Sequence, residues 1–225
     1  MRMLANAVLC GCLFVPAVYP QTKSALELDA KGWVNLLADG TMKDWIRGPL
    51  GGNPIVRAGE MGDPSPWKLD AASGVMTCAG DKVGHEWLRY APELSDFIYH
   101  VEYRFPPVQG ETRYNAGAFV RTSVDGKIWI QAQATLDGGY LFGNTLVKGS
   151  PQMVNLRQKM VENRVKPAGE WNVYEIRAAG RQITLWVNGA VVNDFLECEV
   201  PRGYIGLEAE GYRVEFRNVR LKRLP

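Results

Sequence analysis

Residues 169–195 read GEWNVYEIRAAGRQITLWVNGAVVNDF, and residues 203–224 read GYIGLEAEGYRVEFRNVRLKRL. Apolar and polar side chains alternate here in short runs, the period of a strand with one buried face. Tyr174 and Ile176 stand on one parity, with Glu175 and Arg177 on the other. After the Ala179-Gly180 turn, Ile183, Leu185 and Val187 alternate with Gln182, Thr184 and Trp186. Asn188-Gly189 follows. A two-residue hairpin turn needs positive φ at both central positions, which this pair tolerates well. Residues 191–195 then read as the return strand, and residues 204–209 and 213–223 as two more. In the last of these, Val214 and Phe216 share a parity that Val219 and Leu221 do not. One inserted residue resets the face of a strand, so a β-bulge is predicted near Arg217-Asn218. A hairpin sheet with one apolar face requires a second layer to cover it.

The rest of the chain has the pattern to supply that layer. Residues 96–105 hold the longest alternation, with Phe97, Tyr99, Val101, Tyr103 and Phe105 against Ile98, His100, Glu102 and Arg104. Further strands are predicted over residues 32–37, 67–70, 74–78, 86–90, 115–122 and 128–136, and a short one within residues 138–143. Trp45 is expected in the core. Gly and Pro crowd residues 47–66, which read as an irregular surface loop. Residues 22–31 read as a linker followed by entry into the domain. Residues 153–165 admit a helix or a solvated basic segment. Many short strands and no firm helix predict an all-β protein, a two-sheet antiparallel β-sandwich of the jelly-roll type. A chain of 225 residues, 46% hydrophobic and 22% charged, suffices for one such domain, placed over residues 32–225.

Residues 1–22 read as a secretory signal peptide. Met1-Arg2 gives a positive start, and the apolar run over residues 4–15 ends at Pro16, too short to span a membrane. The expected location is therefore secreted or periplasmic. Leu9-Cys10-Gly11-Cys12 faintly resembles a lipoprotein box, which leaves lipid anchoring as the alternative. No transmembrane segment is predicted. A net charge of +2 without a basic run gives no support to nucleic-acid binding. Cys78 and Cys198 would remain in the mature chain, either paired in an oxidising compartment or packed as small buried groups.

GEWNVYEI (169–176), ITLWVNG (183–189) and IGLEAEG with VEFRNVRLK (205–222) resemble the end of the 3-keto-disaccharide hydrolase domain. DFIYHVEYR (96–104) is similar to that family's acidic, aromatic strand, and NAGAFVR (115–121) to its Asn-Ser-Gly strand. IQAQ (130–133) followed by GYLFG (139–143) resembles the strand that usually reads Glu-x-Gln. The order and spacing of these motifs extend the resemblance over residues 32–224. It implies a concanavalin A-like sandwich and action on glycosides already oxidised at C3 of the sugar. Such a ketone acidifies the C2 proton. Cleavage then needs a base near C2, donors for the enolate oxygen, and an acid or metal for the leaving group.

The resemblance and the chemistry nominate particular residues. Glu102 is a candidate base and Arg104 a candidate enolate donor, or the two belong to a cross-strand ion pair. His85, on a loop, is a further catalytic candidate, whereas His100 reads as packed or solvated. Arg121 is expected to bind sugar oxygens or to be a surface charge, and Asn115 to bind or to turn the chain. Gln131 and Gln133 project together at period two, and each amide offers two donors and an acceptor to hydroxyl groups. Trp129 and Tyr140 are expected to stack on sugar rings or to pack. The chain departs from the family at two places: Gln131 stands where Glu is frequent, and Glu210 stands where many members have His. Glu210 is then an alternative source of the carboxylate. No cofactor is implied, although a divalent metal on carboxylates and amides stays open. Three readings follow: an enzyme acting on a 3-keto-glycoside, a carbohydrate-binding module on the same sandwich, and an adhesion domain.

Overall fold

The computed structural model describes residues 21–49, 56–57, 66–80 and 86–225. Its elements in chain order are α1 (Ala25–Leu28), β1 (Trp33–Asn35), β2 (Trp45–Pro49), β3 (Val56–Arg57), β4 (Trp67–Asp70), β5 (Val75–Ala79), β6 (Glu86–Tyr90) and β7 (Phe97–Arg104). There follow β8 (Ala116–Thr122), β9 (Trp129–Ala134), β10 (Leu141–Val147), β11 (Ser150–Asn155), a 3-10 turn at Arg157–Lys159, and β12 (Asn172–Ala179). The chain ends with β13 (Gln182–Val187), β14 (Ala190–Phe195), β15 (Tyr204–Ala209) and β16 (Arg213–Arg223).

These strands form two antiparallel sheets. The first runs β14-β13-β12-β7-β16-β5-β4, with β1 also pairing to β16. The second runs β11-β10-β9-β8-β15-β6-β2-β3. Their inner faces carry the alternating apolar sets. Phe97, Tyr99, Val101 and Tyr103 from β7 meet Ile130, Ala132 and Ala134 from β9 and Ile205, Leu207 and Ala209 from β15 in one buried cluster. Burial of each large apolar side chain stabilises by about 1.5–3 kcal/mol. Three tyrosine hydroxyls inside this layer are satisfied. Tyr103 donates to the Tyr174 hydroxyl at 3.1 Å, Tyr174 donates to the Gln133 carbonyl at 2.9 Å, and Tyr99 donates to the Gly206 carbonyl at 3.5 Å. The last two bonds cross from one sheet to the other and tie down β9 and β15.

Both turn expectations hold. Asn188 and Gly189 take φ of 42° and 107° between β13 and β14. Asn218 takes φ of 48°, and the pairing of β16 with β7 shifts register between Arg217 and Arg220. Three expectations are corrected. Residues 22–31 are not a plain linker: they contain α1, started by a capping box. Ser24 Oγ accepts the Glu27 N–H at 3.1 Å, and the Glu27 carboxylate accepts the Ser24 N–H at 2.7 Å. Glu175 then receives the Ala25 and Leu26 N–H groups at 2.5 and 3.0 Å, docking α1 on the first sheet. Residues 150–155 form the edge strand β11, where a helix or solvated segment was expected from residue 153 onward. The open edge of β10 organises this mostly polar, exposed segment. Within the Gly/Pro-rich stretch, β2 pairs with β6 and β3 with β2, because backbone pairing does not require an alternating pattern. Cys78 and Cys198 are both buried and are not joined to each other. The predicted leader and His85 fall outside the described residues, apart from Gln21 and Thr22.

Candidate functional site

On β9, Ile130, Ala132 and Ala134 enter the core, so Gln131 and Gln133 stand on the outer face of the second sheet. On β15 the same rule puts Glu208 outward between Leu207 and Ala209. The strand between them, β8, contributes Gly117, which is the register partner of both Gln133 and Glu208. A Cβ at position 117 would collide with the Gln131 side-chain amide. The missing side chain therefore lets Gln131 reach across β8 to the carboxylate of Glu208.

The result is a row of five side chains. Gln131 Nε2 donates to Glu208 Oε2 and, at 2.9 Å, to Gln133 Oε1. Gln133 Nε2 donates to Asn115 Oδ1, and Asn115 Nδ2 donates to Glu210 Oε2 at 2.5 Å. An ionised carboxylate only accepts, so the two ends fix the direction of all three amides. Each amide nitrogen carries two hydrogens. Gln131 spends both within the row, whereas Gln133 and Asn115 each spend one. The centre thus keeps two N–H groups for a ligand, flanked by two carboxylates. Depth is graded: Glu208, Gln131 and Gln133 are 2%, 2% and 5% exposed, while Asn115 and Glu210 are half-buried. Aromatic rings border the row. Trp87 meets Phe119 edge-on at 6.0 Å, and Trp129 meets Phe119 and Phe142 at 5.7 and 5.1 Å. Trp129 and Tyr140 both touch Phe142 within this aromatic patch.

Glu102 and Arg104 do not join this row. They lie on β7 in the first sheet, directly opposite Arg217 and Glu215 of β16. Arg217 Nε donates to Glu102 at 2.7 Å, Asn218 Nδ2 donates to Glu102 at 2.8 Å, and Arg104 Nε donates to Glu215 at 2.7 Å. Burial opposes ionisation of Glu102, but hydrogen bonds from His100, Asn218 and Arg217 outweigh it and hold the carboxyl at about 2. A carboxylate so acidic is a weak base. Glu102 and Arg104 do not pair with each other; each forms its own cross-strand ion pair with β16. His100 is packed beneath α1: its Nδ1 meets Glu175 at 2.9 Å and its Nε2 meets Asn218 at 3.2 Å. A cavity of about 500 Å³ opens beside this hub, lined by Lys23, Glu27, His100, Glu102, Trp186 and Asn218. Both Glu102 oxygens already accept hydrogen bonds there.

Arg121 is also placed elsewhere. Its φ of 53° turns the side chain inward, where it is fully buried. It donates to the Pro201 carbonyl, to Asp96 at 3.0 Å and to the Gly180 carbonyl at 3.4 Å. It ties strand ends together, and neither the sugar-binding nor the surface-charge reading describes it. Glu208 was missed by sequence reasoning, although it shares parity with Glu210 in LEAEG. Among the described residues, no three of His, Cys, Asp and Glu converge as a metal-binding group. The described residues thus do not assemble a set for a resident metal.

One outer face of this two-sheet sandwich thus carries an amide-and-carboxylate row. The 3-keto-alpha-glucoside-1,2-lyase-like domain matches residues 29–222, and the chain belongs to that family. No curated protein sequence matches it. The fold is similar to that of a candidate glycosyl hydrolase from Parabacteroides distasonis, at 17% identity and TM-score 0.60 over 92% of this chain and 100% of that one. It is also similar to a carbohydrate-binding module from Bacillus subtilis, at 15% identity and TM-score 0.56 over 80% of this chain and 96% of that one. A Bacillus subtilis protein with a galectin-like fold aligns at 8% identity and TM-score 0.53 over 85% of this chain and 94% of that one.

Proposed function

We propose that the outer face of the second sheet binds a saccharide oxidised at C3 and cleaves its glycosidic bond by elimination and hydration. The observation that carries this reading is the row Glu208–Gln131–Gln133–Asn115–Glu210 with its two unspent central N–H groups. In this reading Glu208 takes the C2 proton, and the electron pair forms the enolate at C3. Gln133 and Asn115 donate to that enolate oxygen, as an oxyanion hole does. The enolate then collapses: the C3 ketone re-forms, C1 and C2 become doubly bonded, and the bond from C1 to the leaving oxygen breaks. Glu210, at the accessible end, accepts from a water that gives its proton to that oxygen. The resulting hydroxide adds to C1 and Glu208 returns the proton to C2, so the sum is hydrolysis. The carboxylate expected at position 131 is thus supplied across the strand by Glu208. Residues 1–22 would direct the protein out of the cytoplasm to its substrate.

The test is release of free sugar from a 3-keto-glucoside by the purified chain and by E208Q and E210Q, with and without added divalent metal. Turnover by the wild type that both variants lose supports the reading. Turnover unchanged in both would sink it. A second reading, saccharide binding without cleavage, is favoured by Gln131 standing where family members frequently have Glu. It predicts binding to the same face, weakened by Q133A, with no sugar released.

A further inference from the structure

Beside the row, the second sheet buries polar donors that have nothing to bind. Trp87 and Arg89 share the outer face of β6. Trp87 is the register partner of Glu208, and Arg89 is the register partner of Gly206. The indole of Trp87 lies over the bare backbone of Gly206, where a Cβ would strike its Nε1. The guanidinium of Arg89 lies 3.9 Å over the ring of Tyr204. Trp87 is 2% exposed and Arg89 6%. Trp87 Nε1 and Arg89 Nε and Nη1 are buried without a hydrogen-bond partner. Stacking on Tyr204 offsets part of the cost of burying this charge, but it satisfies no N–H group.

The unfilled atoms are all donors, and one group carries a full positive charge. That set matches an anion. Arginine presents planar donors suited to a carboxylate or a sulfate ester, and a desolvated guanidinium discriminates strongly for charge. Position matters as well. Gly206 and Glu208 are two residues apart on β15, roughly 7 Å along the strand, a distance that one sugar ring bridges. The nearby carboxylate of Glu208 accepts from Gln131 across β8.

We infer that Arg89, with Trp87 and Tyr204, forms a subsite for an anionic substituent on the sugar, so that the saccharide recognised at this face is acidic. The inference rests on the reading of the second sheet as the saccharide-binding face. It adds a substrate class that neither the family description nor the resemblance supplies.

Calorimetric titration at low ionic strength with methyl glucoside, methyl glucuronide and glucose 6-sulfate tests it on the wild type, R89Q, R89K and Q133A. Thermal melting reports whether each variant folds. The wild type is expected to prefer an acidic ligand over methyl glucoside by about tenfold or more. R89Q should erase that ratio, and R89K, which keeps the charge but not the planar fork, should reduce it. R89K carries the test if R89Q fails to fold. Preference for the glucuronide identifies a carboxylate, and preference for the sulfate identifies a sulfate ester. Equal binding of all three ligands, weakened throughout by Q133A, overturns the anionic subsite and leaves the saccharide face standing. A preference that survives both Arg89 substitutions overturns the assignment to Arg89. Failure to bind any of the three ligands, none of which is oxidised at C3, overturns the acidic-saccharide inference and leaves the 3-keto reading to its turnover test.

Discussion

At the scale of single residues, the pair Gln131 and Glu208 makes a specific prediction. Their hydrogen bond needs one amide and one carboxylate, but it does not depend on which strand supplies which. E208Q is expected to fold and to lose about 10²–10⁴-fold in turnover of a 3-keto-glucoside. Q131E alone sets two carboxylates against each other and should cost about 1–3 kcal/mol of stability. The double swap Q131E/E208Q restores that one hydrogen bond with the carboxylate on β9, but a carboxylate there no longer donates to Gln133, so recovery is partial. It should regain stability in a melting experiment and part of the turnover. A double variant no better than Q131E in both measurements would show that the two side chains do not act as a pair. Glu208 was hard to find in the sequence for a physical reason. It lies 77 residues from Gln131, and an acidic residue alternating with Leu207 and Ala209 looks like an ordinary solvated strand face. Only strand pairing brings the two together.

At the scale of strands, β8 and β7 carry different duties, and substitutions should separate them. G117A adds a methyl group under the Gln131 amide on β8. The flexible Gln131 side chain must move, so saccharide binding and turnover should fall while the melting temperature changes little. An unchanged affinity and rate would show that the row tolerates displacement. E102A on β7 should do the reverse. It leaves Arg217 and Asn218 without their acceptor and is expected to cost about 1–3 kcal/mol, with turnover retained. Loss of turnover in a fully folded E102A would restore Glu102 to the chemistry. The same hub sets a pH dependence. Burial pulls the His100 pKa down, but Glu102 and Glu175 outweigh it and raise it above 6.5. Its stabilising contribution is therefore complete below 6.5 and is lost as the pH rises through the raised value. Glu102 is held at about 2 against an ordinary 4.5, so its contribution is present above 4.5 and lost as the pH falls towards 2. The melting temperature should decline as the pH is taken above 6.5, and H100Q should flatten that decline. Equal slopes in both proteins would remove His100 from the account. The strands themselves were legible wherever one face is apolar, as in β7 and β12 to β16. They were illegible in β2, β3 and β11, which sit at or near sheet edges, where neighbouring backbone supplies order that side-chain alternation does not announce.

At the scale of the molecule, the division between the sheets explains what could be read and what could not. The two-layer architecture followed from alternation, because burial obeys a period of two. Glu102 with Arg104 and Gln131 with Gln133 lie on different sheets, and the outer faces of a sandwich point in opposite directions. Polar residues on different strands carry no mark of which sheet they join. The strand order has a further consequence, in the time taken to make the chain. β16 is the last strand of this domain in chain order, yet it sits inside the first sheet, between β7 and β5, and also pairs with β1. A ribosome-bound chain lacking residues 213–223 therefore has a gap where its first sheet must close. Domains generally fold as units as they emerge, but this one must wait for its final strand. Chains stopped after Tyr212 should remain protease-sensitive and show no cooperative melting transition, whereas adding the last strand as a separate peptide should restore protection. A stopped chain that melts cooperatively by itself would refute the dependence. Until β16 is free, this domain is a long polymer with a missing seam, open to whatever binds unfolded chains.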